Sequence, residues 1–399
     1  MQSTRQIPTA SRKTFPSFAR RLGLFYGAIF LLSGTHLPFF PVWLRAIELD
    51  PSWIGLIIGV PAVTRFTVLP LITAFAERHH ALRGAMRLSA GATAAGFAIL
   101  GLQHLPWSIF LMYVAICCPW TPLVPLTDAY ALRGVVSYGL DYGRLRLWGS
   151  AAFIIGTLLC GALADVIPAT QLIWVIMAAG LLGAVSSAAL APLDLPTRAA
   201  GAAKRGRKLL GDRDFICIVL SAALVQGSHA AYYAFSAIDW QAQGFGGLTI
   251  GGLWALGVIA EIVVFAVSPR LSWAPANLLM IGAGAAVLRW VIAAREPHAF
   301  ALAAVQLSHG FTFGLTLVGT MGLLVRHVPA HMTARGQGYY AAATGIVGSA
   351  ASVMSGPVYA QFGPGVYYLM ATMAALGGAL MWLVRLRLTP HPHNAASGG

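Results

Sequence analysis

Several charged or titratable side chains lie deep inside long apolar stretches, and their depth can be read by counting. Arg65 stands twelve residues from Trp53 and twelve from Glu77. Glu261 stands thirteen from Leu248 and nine from Arg270, and His309 eleven from His298 and seventeen from Arg326. With a rise of about 1.5 Å per helical residue, all three fall well inside segments long enough to cross a membrane. Arg289 falls in the outer half of its own segment. A second constellation lies in residues 125–156, PLTDAYALRGVVSYGLDYGRLRLWGSAAFIIG. There an apolar helix carries Asp128, a short basic loop follows, and Arg146 stands just before Trp148, Gly149 and Ser150 of the next apolar helix. Eighteen residues separate Asp128 from Arg146, so two antiparallel helices could bring them together at one end.

Each charge buried in such a segment costs roughly 2.5–3.5 kcal/mol on insertion, so it is kept where it pairs, faces water or does work. The arginines are candidate anion sites. Glu261 and His309 are candidate proton sites, because carboxylates and imidazoles can change protonation near neutral pH when poorly solvated. The plainer reading of each is a structural ion pair. His36 and His229 are candidates for helix packing or gating. Tyr232 and Tyr233 could stack on an aromatic or sugar ligand, or only pack. No two histidines within one segment have i, i+4 spacing, so no metal site is expected. No phosphate-binding G-x-x-x-x-G-K-[ST] loop and no nucleophile constellation occur, so neither ATP-driven transport nor an enzyme is indicated.

The elements that must position these residues are membrane helices. Of 399 residues, 58% are hydrophobic and 10% charged, against about 25% charged in soluble domains. The fold class read from this is an all-α polytopic membrane protein. The four cysteines lie in apolar segments and read as free, packing thiols. Arg20 and Arg21 precede an apolar run long enough to span, which is expected to stay in place uncleaved. Twelve apolar segments are predicted at about 21–44, 53–76, 84–103, 106–131, 144–166, 169–191, 214–240, 247–269, 275–295, 298–326, 335–361 and 365–385.

The net charge of +14 does not point to nucleic acid, because the basic residues lie in short loops. With a cytoplasmic N-terminus, 22 Lys and Arg fall on the inner side and two, Arg45 and Arg295, on the outer side. That asymmetry places both termini and the 192–213 loop in the cytoplasm. The expected organisation is a disordered tail 1–19, a six-helix bundle 20–191, a linker 192–213, a second bundle 214–388 and a disordered tail 389–399.

An internal repeat relates the two bundles as pseudo-symmetric halves. GTHLPFF at 34–40 matches GSHAAYY at 227–233, and IGLIIGVPAVTR at 54–65 matches IGGLWALGVIAE at 250–261. GSAA at 149–152 returns at 348–351. The repeat sets His36 against His229 and Arg65 against Glu261. Transporters built from such repeats bind substrate and coupling ions between the halves, near mid-membrane.

Six plus six helices around a basic central loop resemble the major facilitator superfamily. TAFAERHHALRG at 73–84 resembles the signature of its second-to-third-helix loop, with Thr73 and Glu77 where Gly and Asp are usual. More specific stretches resemble the phenylpropionate transporter family, near the lactose permease branch. They are LPFFPVWL at 37–44, PLVPLTDA at 122–129, LDYGRLRLWGSAAFIIG at 140–156, QGSHAAYYAFSAIDWQA at 226–242, ALGVIAEIVVFA at 255–266 and LRW at 288–290.

The resemblance implies substrate-binding roles for Asp128 and Arg146. It also matches Glu261, Arg289 and His309 to the permease branch's eighth-helix carboxylate, ninth-helix arginine and tenth-helix histidine. Where that branch has a further proton-coupling carboxylate, one turn after the histidine, this chain has Thr312. The glycine-rich run ending in Gly-Pro that marks exporters is absent after Gly149, which favours uptake over efflux.

The expectation is a multi-pass transporter of the cell inner membrane, monomeric and without cofactor, taking up a small aromatic carboxylate with a proton. In it Arg289, Arg146, Asp128, Arg65, Tyr232 and Tyr233 bind substrate, and Glu261 and His309 carry the proton. A proton-coupled sugar or nucleoside symporter is the alternative. An efflux carrier or a non-transporting membrane protein stands further off.

Overall fold

The structure, a computed structural model, describes residues 11–79, 81–138, 142–192, 209–329 and 332–388. Among the described residues no strand occurs, and twelve helical passes follow one another, with short connections apart from the stretch between Ala188 and Arg213. We label them α1 (Ser11–Ala46), α2 (Pro51–Arg78), α3 (Leu82–Leu100), α4 (Pro106–Trp120 and Leu123–Tyr138), α5 (Tyr142–Ala164) and α6 (Leu172–Ala188). The second six are α7 (Arg213–Gly227 and Ala230–Ala242), α8 (Gly247–Val267), α9 (Pro275–Ala293), α10 (Ala299–Leu307, Gly310–Leu315 and Thr316–His327), α11 (Thr333–Phe362) and α12 (Val366–Leu388).

Local sequence explains where these helices start and break. Pro106 and Pro275 occupy first-turn positions of α4 and α9, where a missing N–H costs nothing. Asp212 caps α7 by accepting from the N–H groups of Asp214 and Phe215 at 3.0 and 3.3 Å. The break in α4 falls at Thr121–Pro122, among Pro119, Pro122 and Pro125, each of which removes a backbone donor. The break in α7 falls at Ser228–His229. There the His229 ring takes up the carbonyls of Val225 and Gln226 at 3.3 and 3.2 Å. Gly310–Leu315 of α10 forms a π-helical turn, a widened turn that is frequent at functional sites.

α1 begins at Ser11, so residues 11–19 continue the helix instead of belonging to a disordered tail. The physical reason is Phe18, which is buried and packs its ring 5.4 Å from Tyr130 and 4.9 Å from Tyr138. Residues 1–10, most of the 192–213 linker and the 389–399 tail lie outside the described residues.

The helices gather into two compact units. One draws on Met1–Leu49, Thr67–Ala199 and Ala237–Ala255. In it α1 lies against α5 and α6, and α3 against α4 and α6. The start of α8 belongs here and packs on α5 so closely that a Cβ on Gly161 would strike the Gly247 carbonyl. Asp165, just past the end of α5, caps α8 from outside, accepting from Gly247 N at 2.5 Å and Leu248 N at 2.9 Å.

The other unit draws on Asp50–Phe66, Ala200–Ser236 and Leu256–Gly399. In it α7 lies against α11 and α12, and α9 against α10 and α12. The start of α2 belongs here and rests on α11. Ser352 and Ser349 donate to the carbonyls of Gly55 and Gly59 at 2.8 and 2.9 Å. The repeat read from the sequence reappears in this packing: α2 on α11 corresponds to α8 on α5.

Candidate substrate and proton site

Arg289 of α9 is the centre of a polar network inside the second unit. It is 1% exposed, so its charge has to be met by protein groups. Its Nη1 lies 2.5 Å from His309 Nδ1 and donates to Thr312 Oγ1 at 3.1 Å. Its Nη2 donates to Gln306 Oε1 at 3.3 Å, an oxygen that also accepts from Tyr232 OH at 3.0 Å. The guanidinium lies over two rings, 4.7 Å from the centre of Tyr232 and 4.6 Å from that of Trp290, where the ring faces attract a cation. Trp290 is itself oriented by donating to Ser228 Oγ at 3.0 Å.

The partners fix the histidine tautomers. Arginine has donors only, so His309 Nδ1 accepts and the ring proton sits on Nε2. That proton points at Glu261 Oε1, 2.6 Å away. A neutral imidazole thus joins the cation of α9 to the carboxylate of α8. His229 has the opposite arrangement. Its Nδ1 faces two backbone carbonyls and must donate, so Nε2 accepts from Thr312 Oγ1 at 3.1 Å. Thr312 therefore donates to His229 and accepts from Arg289. The Glu261 side chain is 20% exposed, the His309 side chain 6%. Two donors in the network, Arg289 Nε and Gln306 Nε2, have no acceptor among the described residues.

The first unit holds a second cluster. Tyr26 OH donates to Asp128 Oδ1 at 2.6 Å. The Arg146 guanidinium lies 4.3 Å from the Phe30 ring centre and 6.0 Å from that of Tyr26. Asp128 and Arg146 thus converge on one face of α1, and no ion pair joins them among the described residues. The reason is that α1 contacts both α4 and α5 and brings Tyr26 and Phe30 to the two charges.

The remaining candidates divide. Arg65 is exposed on α2, and the partner of Glu261 is His309, so the repeat-related charges do not pair. Tyr233 stands beside the network, its ring centre 5.5 Å from that of Tyr232 and 6.2 Å from that of His229. His36 is buried in an aromatic box. Its Nε2 lies 3.1 Å from Tyr113 OH, and Phe40 and Trp120 lie 4.6 and 4.4 Å from the ring. The two repeat-related histidines thus differ: His36 packs among rings, while His229 joins the arginine network. Gln306, Tyr26 and Phe30 were not among the sequence candidates. Gln306 could have been found one turn before His309 on the same face of α10. Tyr26 and Phe30 stand four residues apart on α1.

The sequence model of the family described as "MFS_1 like family" matches residues 19–370. The chain belongs to the MFS_1-like family. It is 35% identical over 365 residues to the "Probable 3-phenylpropionic acid transporter" of Escherichia coli (strain K12), covering 89% of this chain and 95% of the relative. It is 27% identical to the maltose permease of Geobacillus stearothermophilus, covering 94% and 95%. Among solved structures, a point mutant of the nucleoside transporter NupG superposes with a TM-score of 0.81 at 15% identity, covering 94% of this chain and all of that one. A bacterial Spinster homologue gives 0.71 at 14% identity, covering 95% and 99%. The fold is that of major facilitator transporters, twelve helices in two pseudo-symmetric six-helix bundles. The chain is a multi-pass membrane transporter for a small molecule and not an enzyme.

Proposed function

We propose that this family member takes up a small aromatic carboxylate of the phenylpropionate class together with a proton, across the cell inner membrane, with both termini cytoplasmic. The observation that carries the proposal is Arg289, held against the Tyr232 and Trp290 rings with its Nε donor lacking an acceptor among the described residues. A substrate carboxylate on the Nε–Nη2 edge would make the bidentate pair that arginine favours. The neighbouring rings would take the aromatic end of the substrate. The 35% identity to a protein named for 3-phenylpropionic acid supports the same class.

Charge balance then sets the coupling. The empty network holds one cation, Arg289, and one anion, Glu261, joined through neutral His309. A monoanionic substrate adds one negative charge, and one proton cancels it. His309 cannot take that proton while Arg289 donates to its Nδ1. Glu261 can, and its protonated carboxyl still accepts from His309 Nε2–H through its carbonyl oxygen. The loaded carrier is then neutral and crosses without moving charge. Asp128, Tyr26 and Arg146 are proposed as further substrate contacts in the other bundle.

The test is uptake into proteoliposomes of 3-phenylpropionate, its amide, maltose and a nucleoside. The expected result is accumulation of the acid alone, driven by an imposed pH gradient and insensitive to a potassium-diffusion potential. Accumulation driven by the potential alone overturns electroneutral coupling. Preference for maltose or nucleoside overturns the substrate class and favours the Asp128 cluster as a hydroxyl-binding site.

A further inference from the structure

Away from the polar network, α9 and α12 leave a groove of about 440 Å³ between them, lined by Met280, Gly284, Val287, Ala375, Ala379 and Trp382 among others. A Cβ on Gly284 would meet nothing within 4 Å, so the groove is open at that point. Its walls are apolar side chains. Met280 and Trp382 line it together, so the two helices run antiparallel along it, and one end lies where α9 begins and α12 finishes.

That end is basic and aromatic. Arg385 stands one turn beyond Trp382, its guanidinium 5.7 Å from the ring centre. Arg387, two residues on, is exposed on the opposite side of α12. Arg270 is exposed just before α9, and Trp273 is 52% exposed beside it. Neither α9 nor α12 carries a carboxylate, while α7, which packs on α12, opens with Asp212 and Asp214. Tryptophans at headgroup level beside arginines are the pattern of a membrane–water interface, and basic pockets at helix ends attract anionic headgroups.

We propose that the α9–α12 groove binds one anionic phospholipid, an acyl chain lying along Gly284 and Ala379 and the phosphate held by Arg385 at the rim. The groove supplies the tail site and Arg385 supplies the preference for negative charge. A neutral lipid satisfies only the first, and inorganic phosphate only the second.

The experiment is lipid titration of the purified full-length chain, read by native mass spectrometry and by thermal shift. Dioleoyl phosphatidylglycerol is compared with dioleoyl phosphatidylcholine and with inorganic phosphate. Wild-type protein is expected to retain and be stabilised by phosphatidylglycerol over phosphatidylcholine. At about 1 kcal/mol per basic residue, R385Q should lower that preference about fivefold, and R387Q, on the opposite side of α12, should lower it far less. G284F fills the groove from α9 and should cut retention of both lipids. A379F fills it from α12 and should do the same. Retained helical circular dichroism separates loss of the lipid from loss of the fold. Equal binding of the two lipids by wild type, binding unchanged in both filled variants, or an equal shift with inorganic phosphate overturns the proposal.

Discussion

His309 gives its acceptor to Arg289: Nδ1 lies 2.5 Å from Nη1, which leaves Nε2–H to face Glu261. With that contact made, a second proton on the ring would point an N–H at a guanidinium. In the proposed cycle the proton therefore goes to the carboxylate, with His309 as the fixed link between two charges.

Glu261→Gln mimics the protonated carrier. It should bind 3-phenylpropionate and exchange it across the membrane, since loaded carriers cross without a further proton change. Accumulation under an imposed pH gradient should be lost, because the empty carrier cannot release its proton. Counterflow and net uptake in the same vesicles measure both halves of the expectation. Retained pH-driven accumulation by Glu261→Gln removes Glu261 from the cycle. Neutralising the exposed Arg65 should leave the melting temperature of either protein where it was, because Arg65 is not the partner of Glu261.

Arg289→Gln should weaken the acid more than its neutral amide, by about tenfold to a hundredfold, the range of a lost charged hydrogen bond. Arg289→Lys keeps the charge without the planar fork and should not restore binding. Calorimetry with the acid and the amide checks both. Equal losses for the two ligands would argue against a direct ion pair.

Thr312 lies between Arg289 and His229, accepting from one and donating to the other. Thr312→Val strips both of a partner and should lower stability by about 1–3 kcal/mol. Thr312→Ser keeps the hydroxyl and should cost far less. Thermal unfolding of the two variants side by side tests the assignment of donors and the tautomer of His229.

Asp165→Ala removes the only side-chain cap seen at the start of α8 among the described residues. A loss of about 0.5–2 kcal/mol is expected, with Asp165→Asn near the small end of that range. Hydrogen exchange at Gly247 and Leu248 should rise in Asp165→Ala while exchange in α9 stays as before. Uniform acceleration across both helices would point instead to global destabilisation.

The proposed orientation places the α3–α4 loop outside and the turn before α7 inside, from the bias of 22 basic residues against two. A cysteine replacing exposed His104 should react with an impermeant maleimide added to whole cells, and one replacing Gly211 should not. The reverse pattern inverts the topology.

The twelve passes were legible in the sequence because a membrane demands long apolar runs and the loops between them collect the charges. The depth of Glu261, Arg289 and His309 was legible for the same reason, since counting along a helix gives height. Which side chains face one another is set by helix order in space, and counting does not reach it. Asp128 and Arg146 looked like a pair because α4 and α5 are consecutive. α1, more than a hundred residues upstream of Arg146, supplies the rings they meet. Likewise Arg65 and Glu261 occupy equivalent places in the repeat, but nothing in the repeat says that α10 will offer His309 to Glu261 first. The helical start at Ser11 is not legible in the sequence because the polar residues there outweigh the buried Phe18.

The widened turn at Gly310–Leu315 lies directly after His309 and contains Thr312. A π-turn holds one more residue than the α-helical turn it replaces, while the helix on either side keeps its phase. α10 therefore has a residue to spare at this place and nowhere else along its length. Removing one residue between Phe313 and Leu315 should let the turn close to ordinary α-helix, with Thr316–His327 still facing their present neighbours. The same deletion within Thr316–His327 would rotate everything after it by about 100°. In the history of such a chain, this turn is where α10 can change length without changing the faces it presents.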